Sequence, residues 1–263
     1  MRIIFVDIDG TILDYNRGLR VITEKTKEAF EKIKHNRDMV FICSGRSKCL
    51  LPKEILDLEP SGYILANGAY CEIAEKTIFS HEMEEDVLKN IMYFAIENKG
   101  AYYLETFKKI YTQDIKTKLH IDFATSWDVI DCYTDETFNF DEGINLCMLA
   151  LNNDDSLISK AYKELSNYVD LNRQGDLYSF DLNIKNINKG TAIVELLNYL
   201  NQDYIETFAF GDGINDLEMM QIVNYPIVMD NACMELKEIA YDITDDVLND
   251  GFYNGLIKHN IIK

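Results

Sequence analysis

The chain has 263 residues, of which 47% are hydrophobic, and its 45 acidic and 26 basic residues give a formal net charge of -19. This apolar content is ample for a buried core, whereas a field of that sign repels phosphate backbones and makes nucleic acid a poor candidate partner. The sequence lacks a signal-peptide pattern and an apolar run of the ~18 residues that a membrane span needs, which predicts a cytoplasmic protein with no membrane partner.

An alternation of strand and helix patterns opens the chain. Short apolar runs predict buried strands, and apolar residues that recur on one helical face predict helices. The predicted strands are 3–6, 39–43 and 63–66, and the predicted helices are 47–58 and one through Ile33 that Thr23 would cap. Strands that alternate with helices in this way are typical of a doubly wound parallel sheet.

A different order of elements follows. Helical patterns cover 83–98 and 155–167, and strand patterns cover 101–106, 109–112, 144–151, 169–172 and 177–183. Residues 113–143 are polar and give no clear periodicity. This order predicts a separate α+β module with an antiparallel sheet, which we place at 82–183.

The parallel rhythm resumes afterwards. A helix containing the stripe Ile193, Leu196, Leu197 and Leu200 precedes an apolar strand at 207–210. Further helices are predicted at 217–223, 232–240 and 252–259, with strands at 226–229 and near Ile243. The sequence therefore predicts one α/β core built from 1–81 and 184–263, interrupted by the α+β module.

Polar side chains follow the predicted core strands where each strand ends. Asp7 and Asp9, Ser44, Asn67, and Asp212 with Asp216 occupy these positions, and Lys189 starts the helix that re-enters the core. The carboxyl ends of parallel strands share one crevice. Carboxylate ligands without His or Cys favour Mg²⁺, and an amine, a hydroxyl and glycine-freed backbone amides suit a phosphoryl group.

Five short motifs carry a resemblance to a known family. They are DIDGT at 7–11, SGR at 44–46, NGA at 67–69, NKG at 188–190 and GDGIND at 211–216. In order and spacing the chain resembles the haloacid dehalogenase (HAD) superfamily, in its Cof-type branch, where a cap domain is inserted between the second and third motifs. The resemblance implies a Rossmann-like core with an α+β cap, and a Mg²⁺-dependent phosphatase acting on a small phosphorylated metabolite such as a sugar phosphate or a cofactor phosphate.

The resemblance also implies the reacting groups. Asp7 would attack phosphorus and form an aspartyl-phosphate, and Asp9 would protonate the leaving oxygen and then take a proton from water. Mg²⁺ would be held by Asp7, the backbone carbonyl of Asp9 and Asp212, with Asp216 supporting the metal site. Lys189 would neutralise charge and hold Asp7 in place.

The same resemblance implies a phosphate clasp. Thr11 is expected to orient Asp9. Arg46 is left open between a substrate contact and an ion pair with an acid. The groups expected around the phosphate are Gly10, Ser44, Gly45, Lys189 and Asn215. Asn67-Gly68 is expected to form a turn rather than to bind a ligand.

The sequence leaves two alternative functions open and differs from the family's pattern at one point. A phosphotransferase resembling phosphomannomutase shares these motifs, and a non-catalytic sensor would bind a phosphorylated ligand without turnover. The stretch before Lys189 reads LNIKNIN, where the branch more often has a proline-glycine step, and this puts the reach of Lys189 in doubt. The expected oligomeric state is a monomer or a weak homodimer.

Overall fold

The computed structural model describes residues 1–118, 120–121, 132–173, 177–201 and 205–263. The chain forms two compact units. The first contains Met1–Gly45, Leu51–Phe79 and Asn188–Lys263, and the second contains Arg46–Leu50 and Ser80–Ile187. The limits of 82 and 183 expected from the sequence differ from these by a few residues, and no pattern indicated that Arg46–Leu50 packs with the later segment.

The strands are named in chain order. They are β1 (Arg2–Val6), β2 (Met39–Cys43), β3 (Gly62–Leu65), β4 (Tyr70–Ile73), β5 (Lys76–Ser80), β6 (Ala101–Glu105), β7 (Ile110–Tyr111), β8 (Tyr133–Thr134), β9 (Leu146–Ala150), β10 (Val169–Arg173), β11 (Ser179–Ile184), β12 (Glu206–Gly211), β13 (Tyr225–Val228) and β14 (Asp242–Ile243). The helices are α1 (Glu24–His35), α2 (Lys53–Leu56), α3 (Glu85–Glu97), α4 (Asp155–Leu165), α5 (Lys189–Leu200), α6 (Leu217–Ile222), α7 (Met234–Ile239) and α8 (Gly251–Lys258).

The sheet of the first unit has the strand order β14-β13-β12-β1-β2-β3-β4-β5. The pairs β1–β12, β1–β2, β2–β3, β12–β13 and β13–β14 are parallel, whereas β3 and β4 are antiparallel. Apolar side chains pack on both faces, as expected for a sheet covered by helices on each side. The predicted doubly wound α/β core is therefore confirmed, with β4, antiparallel to β3, and β5 added at one edge, which the sequence did not predict.

One predicted helix is wrong. The segment 47–58 does not form a single helix but a 3-10 turn at Lys48–Leu50 followed by the short α2. Pro52 separates them, because proline disfavours helical backbone in the residue before it and lacks an amide hydrogen. By contrast, the Thr23 hydroxyl caps α1 by accepting from the amide of Thr26, as predicted.

The sheet of the second unit has the order β10-β11-β9-β6-β7-β8. Its pairs are antiparallel except for the short parallel pair β7–β8, which the sequence reading also missed. Helices α3 and α4 supply apolar residues to a cluster on one face of this sheet. The expected α+β architecture is confirmed. Among the described residues, no helix is long and apolar enough to cross a membrane.

Candidate active site in the first unit

Three neighbouring strand ends bring the predicted acids together. Strand β1 lies between β2 and β12, and Val6 is paired with Ile42 on one side and Phe210 on the other. All three strands run in the same direction, so the residues that follow them emerge at one edge of the sheet. Asp7, Ser44 and Asp212 are placed there, and all of them belong to the first unit.

Lys189 forms the centre of the site. Its ammonium donates to Oδ1 of Asp7 and to Oδ1 of Asp216, each at 2.6 Å. The side chain is fully buried in the first turn of α5, whose start is fixed by a capping box between Asn188 and Thr191. The missing proline-glycine step therefore does not prevent Lys189 from reaching Asp7.

The charges around Lys189 do not balance. Burial alone would lower the pKa of Lys189, but Asp216 and Asp7 outweigh burial and raise it above its ordinary value, so the group stays an ammonium. The pKa of Asp7 is nevertheless raised well above its usual range, first by burial and then by Asp216 and Asp212 against the opposing effect of Lys189. In an isolated ion pair the pKa of the acid would fall while that of the amine rises. Both pKa values rise here because one ammonium is shared among several acids.

Asp212 shows the same surplus of negative charge. Burial and the Asp216 carboxylate raise its pKa to about 7, while Lys189 and a hydrogen bond from Thr11 lower it. A further cation in the cluster would offset this repulsion. Asp7, Asp212 and Asp216 each offer a carboxylate oxygen, and these three atoms lie within 4.8 Å of one another. Three hard oxygen donors around a negative centre fit a divalent cation such as Mg²⁺.

Asp216 is engaged through both oxygens. Oδ1 accepts from Lys189, and Oδ2 accepts from the backbone amides of Asp212 at 3.0 Å and Gly213 at 3.1 Å. Asp216 therefore holds the Lys189 amine and the loop that carries Asp212, which is a supporting role.

Asp212 is held by two side chains from other loops. The Thr11 hydroxyl donates to Oδ1 at 3.3 Å, and Asn231 Nδ2 lies 3.3 Å from Oδ2 and donates to the Gly10 carbonyl at 2.8 Å. Thr11 was expected to orient Asp9, so its contact with Asp212 is a different role. Asn231 was not singled out from the sequence, and the available signal was its position shortly after β13, at another strand end.

Gly10 is required by the close approach of Asp212. Its φ of +82° lies in the left-handed region, where a side chain is strained. A Cβ atom at this position would overlap the Asp212 carboxylate. The glycine therefore lets two loops meet at the acid cluster.

The other side of the site contains the predicted phosphate-binding groups. Ser44 is buried, and its carbonyl accepts from the amide of Asn67 at 3.1 Å. Asn67 has φ +50° within a tight turn, as expected, but its Oδ1 also accepts from Asn215 Nδ2 at 3.3 Å. A Cβ at Gly45 would lie 2.9 Å from the same Asn67 oxygen. Ser44, Gly45, Asn67 and Asn215 thus form one contiguous group.

Two predicted residues stand apart. The Asp9 side chain is exposed and is not among the three clustered carboxylates, whereas Asp7 is buried. Arg46 is buried within the second unit, where Nη1 donates to the Leu50 carbonyl at 3.1 Å. This contact does not decide between its two expected roles, and a substrate contact of Arg46 stays a prediction.

A family model described as haloacid dehalogenase-like hydrolase matches residues 4–256 of the chain. The chain belongs to this family. The resemblance found in the motifs is thereby confirmed, and the prediction of a phosphatase-type hydrolase is confirmed at the level of the family.

Relatives of the hydrolase include YkrA of Bacillus subtilis, a candidate phosphatase by name, with 31% identity over 264 residues that cover 100% of this chain and 99% of the relative. The 5-amino-6-(5-phospho-D-ribitylamino)uracil phosphatase YwtE of the same organism is 25% identical and covers 93% of each chain. The solved structure of the subclass IIB sugar phosphatase BT4131 has the same fold, with a TM-score of 0.83, 21% identity and full coverage of both chains.

We expect Mg²⁺ to stabilise the hydrolase in the absence of substrate. A ligand that binds only the folded state raises its stability, by about 2.7 kcal/mol at a concentration one hundred times its Kd. Thermal unfolding with and without Mg²⁺ measures the effect, and Asp212→Asn should remove most of it. An equal shift of Tm in Asp212→Asn would show that Mg²⁺ binds elsewhere.

Asn231→Ala is expected to weaken Mg²⁺ binding as well as the fold. The change leaves the Gly10 carbonyl and the Val247 amide without the Asn231 partner, at a cost of about 1–3 kcal/mol, and frees the Asp212 carboxylate. Loss of a group that orients a metal ligand typically weakens affinity by about 10–100-fold.

The matched control is Asn224→Ala, which removes comparable hydrogen bonds to Thr207 in the same unit. Isothermal titration with Mg²⁺ should show weaker binding for Asn231→Ala only. If both variants lose stability and neither changes Mg²⁺ affinity, Asn231 has a purely structural role.

Proposed function

We propose that the hydrolase is a Mg²⁺-dependent phosphatase that acts on a small phosphorylated metabolite through a phosphorylated Asp7. The observation that carries the proposal is the buried Lys189 ammonium between Asp7 and Asp216, with Asp212 beside them. Such a cluster of charges is costly to bury unless the groups serve binding or chemistry. The names of the relatives supply the reaction class.

In the first step an oxygen of Asp7 attacks phosphorus and forms a mixed anhydride, while the bond to the leaving oxygen breaks. Asp9 donates its proton to that leaving oxygen. In the second step water attacks the same phosphorus and Asp9 takes a proton from that water. The bond between Asp7 and phosphorus breaks, which restores the Asp7 carboxylate and releases inorganic phosphate. The exposure of Asp9 supports this role, because a group in contact with solvent can exchange protons between turnovers.

A carboxylate and a phosphate dianion repel each other, so the attack needs positive charge at the site. Lys189 supplies one charge and holds Asp7 through Oδ1. Mg²⁺ would be held by Asp7, Asp212 and the backbone carbonyl of Asp9, with Asp216 in support, and when bound it offsets repulsion on the transferring group.

The non-bridging oxygens need donors placed in advance. We assign this role to the Ser44 hydroxyl, to backbone amides near Gly10 and Gly45, and to Asn215. Asn67 supports this assignment, because its amide donates to the Ser44 carbonyl and its side chain accepts from Asn215. Asn67 thereby links the two loops that carry Ser44 and Asn215. Asn67 positions these donors.

The substrate we propose is a phosphate monoester of a small sugar or sugar-derived metabolite. This follows from the names of two similar proteins, one a sugar phosphatase and one acting on a phosphoribityl compound. The match to a hydrolase family favours water over a sugar hydroxyl as the final acceptor, and this ranks hydrolysis above a mutase reaction.

Phosphate release from a panel of phosphorylated metabolites with Mg²⁺ tests the proposal. We expect release by the wild-type protein and by Asp57→Asn, a control that alters an exposed acid paired with Lys53. Formation of an isomeric sugar phosphate without inorganic phosphate would instead support the mutase. Tight binding without any turnover would support the sensor.

A further inference from the structure

The sheet of the second unit carries a small apolar cluster with several buried polar groups on the side opposite its helices. Leu104 and Tyr111 face the cluster that contains α3, whereas Tyr103 and Ile110 belong to a separate small cluster. Because side chains alternate along a strand, Glu105 lies on the same face as Tyr103. The register pairs Glu105 with Ile110, and Ile110 with Tyr133, so the three form one row across β6, β7 and β8.

Glu105 is buried without a well-formed partner. Its exposed fraction is 0%, and neither carboxylate oxygen accepts a hydrogen bond of normal geometry from the described residues. The hydroxyl and amide of Ser47 are near enough to lower its pKa, but they do not complete such a bond. An acid in this setting is costly to the fold, and an apolar residue would be the more stable choice.

Other buried polar atoms of this unit are in the same state. Within the described residues, the Tyr133 hydroxyl, His120 Nδ1 and Thr112 Oγ1 also lack a hydrogen-bond partner. The rings of His120 and Tyr133 are 4.9 Å apart, and each lies 5.7 Å from the Tyr103 ring. Buried polar groups are almost always paired in folded proteins, so several unpaired ones in one place need a physical explanation, and a bound ligand is one.

The electrostatic surroundings of Glu105 are compatible with a cationic ligand. Burial raises the pKa of Glu105 to about 8, so its ionised form needs a positive partner, and the described groups whose charges act on it most strongly, Asp181 and Cys132, both disfavour that form. Glu105 is also the charge that acts most on the Tyr133 hydroxyl. Burial lowers the pKa of His120 against the opposing effects of Asp114 and Asp135, which favours its neutral ring.

The described residues do not supply a three-ligand metal site at this position. The described His, Cys, Asp and Glu side chains that come together as a possible three-ligand site are Asp7, Asp212 and Asp216, and all three belong to the first unit. An ammonium group matches better, because it offers donors to the Glu105 carboxylate and to the Tyr133 phenol oxygen, on which Glu105 acts most strongly among the charges. Aromatic rings add attraction for a cation at short range.

We propose that Glu105 and Tyr133 bind the amino group of a small ligand, with His120 and Tyr103 beside it. Binding of the ammonium favours loss of the Glu105 proton to solvent, and the resulting carboxylate accepts charge-assisted hydrogen bonds, while the Tyr133 hydroxyl accepts another. The site goes beyond the proposed phosphatase chemistry, since binding does not depend on Asp7 or on turnover.

Matched probes test the proposal. Isothermal titration compares ethanolamine with ethylene glycol, and glucosamine with glucose, because the members of each pair differ in one amino group. We expect the amines to bind about tenfold or more tightly than their neutral partners, as charge-assisted bonds are the stronger ones. Glu105→Gln should abolish this preference, and Tyr133→Phe should weaken it.

The control is Glu142→Gln, which alters a Glu–Tyr pair elsewhere in the same unit, where Tyr111 donates to Glu142 at 2.7 Å. It should keep the preference for amines. Without ligand, Glu105→Gln should unfold at the same or a higher temperature than the wild-type protein. A marked fall in Tm would show that Glu105 has a structural partner and would contradict the proposal.

The source of the amine is resolved with phosphoethanolamine and glucosamine 6-phosphate, measured on Asp7→Asn so that no turnover occurs. If the free amines bind more tightly than their analogues without an amino group, the ligand needs no phosphate. If only the phosphorylated amines bind more tightly than their analogues without an amino group, the amine is part of the substrate. Equal binding of amines and neutral partners, no amine binding in either form, or an unchanged preference in Glu105→Gln would overturn the proposal.

Discussion

Asp7→Asn is expected to release phosphate at least about 10⁴-fold more slowly than the wild-type protein, because an amide cannot form the phosphorylated intermediate. The change is nearly isosteric, and Asp216 still accepts from Lys189. It also removes a buried acid whose pKa is raised by its burial and by Asp216 and Asp212. The variant should therefore fold with little loss of stability.

The measurement is phosphate release at saturating substrate, together with the Tm of each protein. Asp57→Asn serves as the matched change of an exposed acid on the same unit. Phosphate release by Asp7→Asn at a rate close to that of the wild-type protein would show that the nucleophile is another group. A collapse of Tm would mean that activity was lost through unfolding.

Lys189→Met is expected to reduce both stability and activity. Asp7 and Asp216 would be left as buried carboxylates without their shared cation, and breaking a buried pair in this way costs about 3–5 kcal/mol. The loss of positive charge should also slow phosphate release by about 10²–10³-fold, the range seen when a single charge-stabilising donor is removed.

Denaturant unfolding and phosphate release measure the two effects. The control is Lys34→Met, whose partner Glu59 is 74% exposed, so solvent screens that pair and its loss should be minor. If Lys189→Met is as stable as Lys34→Met, the buried amine does not hold the acid cluster together. If it keeps full activity, the amine has no part in the chemistry.

Much of the site was predictable because parallel strands impose a rule. The residues after β1, β2 and β12 must emerge at one edge, so the approach of Asp7, Ser44 and Asp212 follows from three apolar runs and their polar ends. The start of α5 was equally readable, since Asn188 and Thr191 mark a helix N-terminus beside Lys189.

The supporting contacts were not predictable in the same way. Thr11 and Asn231 reach Asp212 across 201 and 19 residues of sequence, and the geometry depends on how three loops cross. Likewise, β4 and β5 follow a tight turn at Asn67, and the exposed β5 carries no strong apolar alternation.

The buried polar residues of the second unit were the least predictable from the sequence. Glu105 ends an apolar strand and resembles an ordinary acid at a strand end, while His120 and Tyr133 lie in a polar stretch without periodicity. Glu105 and Tyr133 come together through the pairing of β6, β7 and β8, and β8 is only two residues long, while His120 packs its ring against Tyr133. A short parallel strand of this kind leaves no period in the sequence.

Whether Asp7 carries the phosphoryl group is tested most directly by mass spectrometry of Asp9→Asn after reaction with p-nitrophenyl phosphate and Mg²⁺. Nitrophenolate leaves without a proton donor, so the first step should proceed, whereas the second step lacks the base that activates water. We predict a mass gain of one phosphoryl group, located on the peptide that contains Asp7. Release of nitrophenolate with Asp7 unmodified at every time point, or with the phosphoryl group on another residue, would contradict the account.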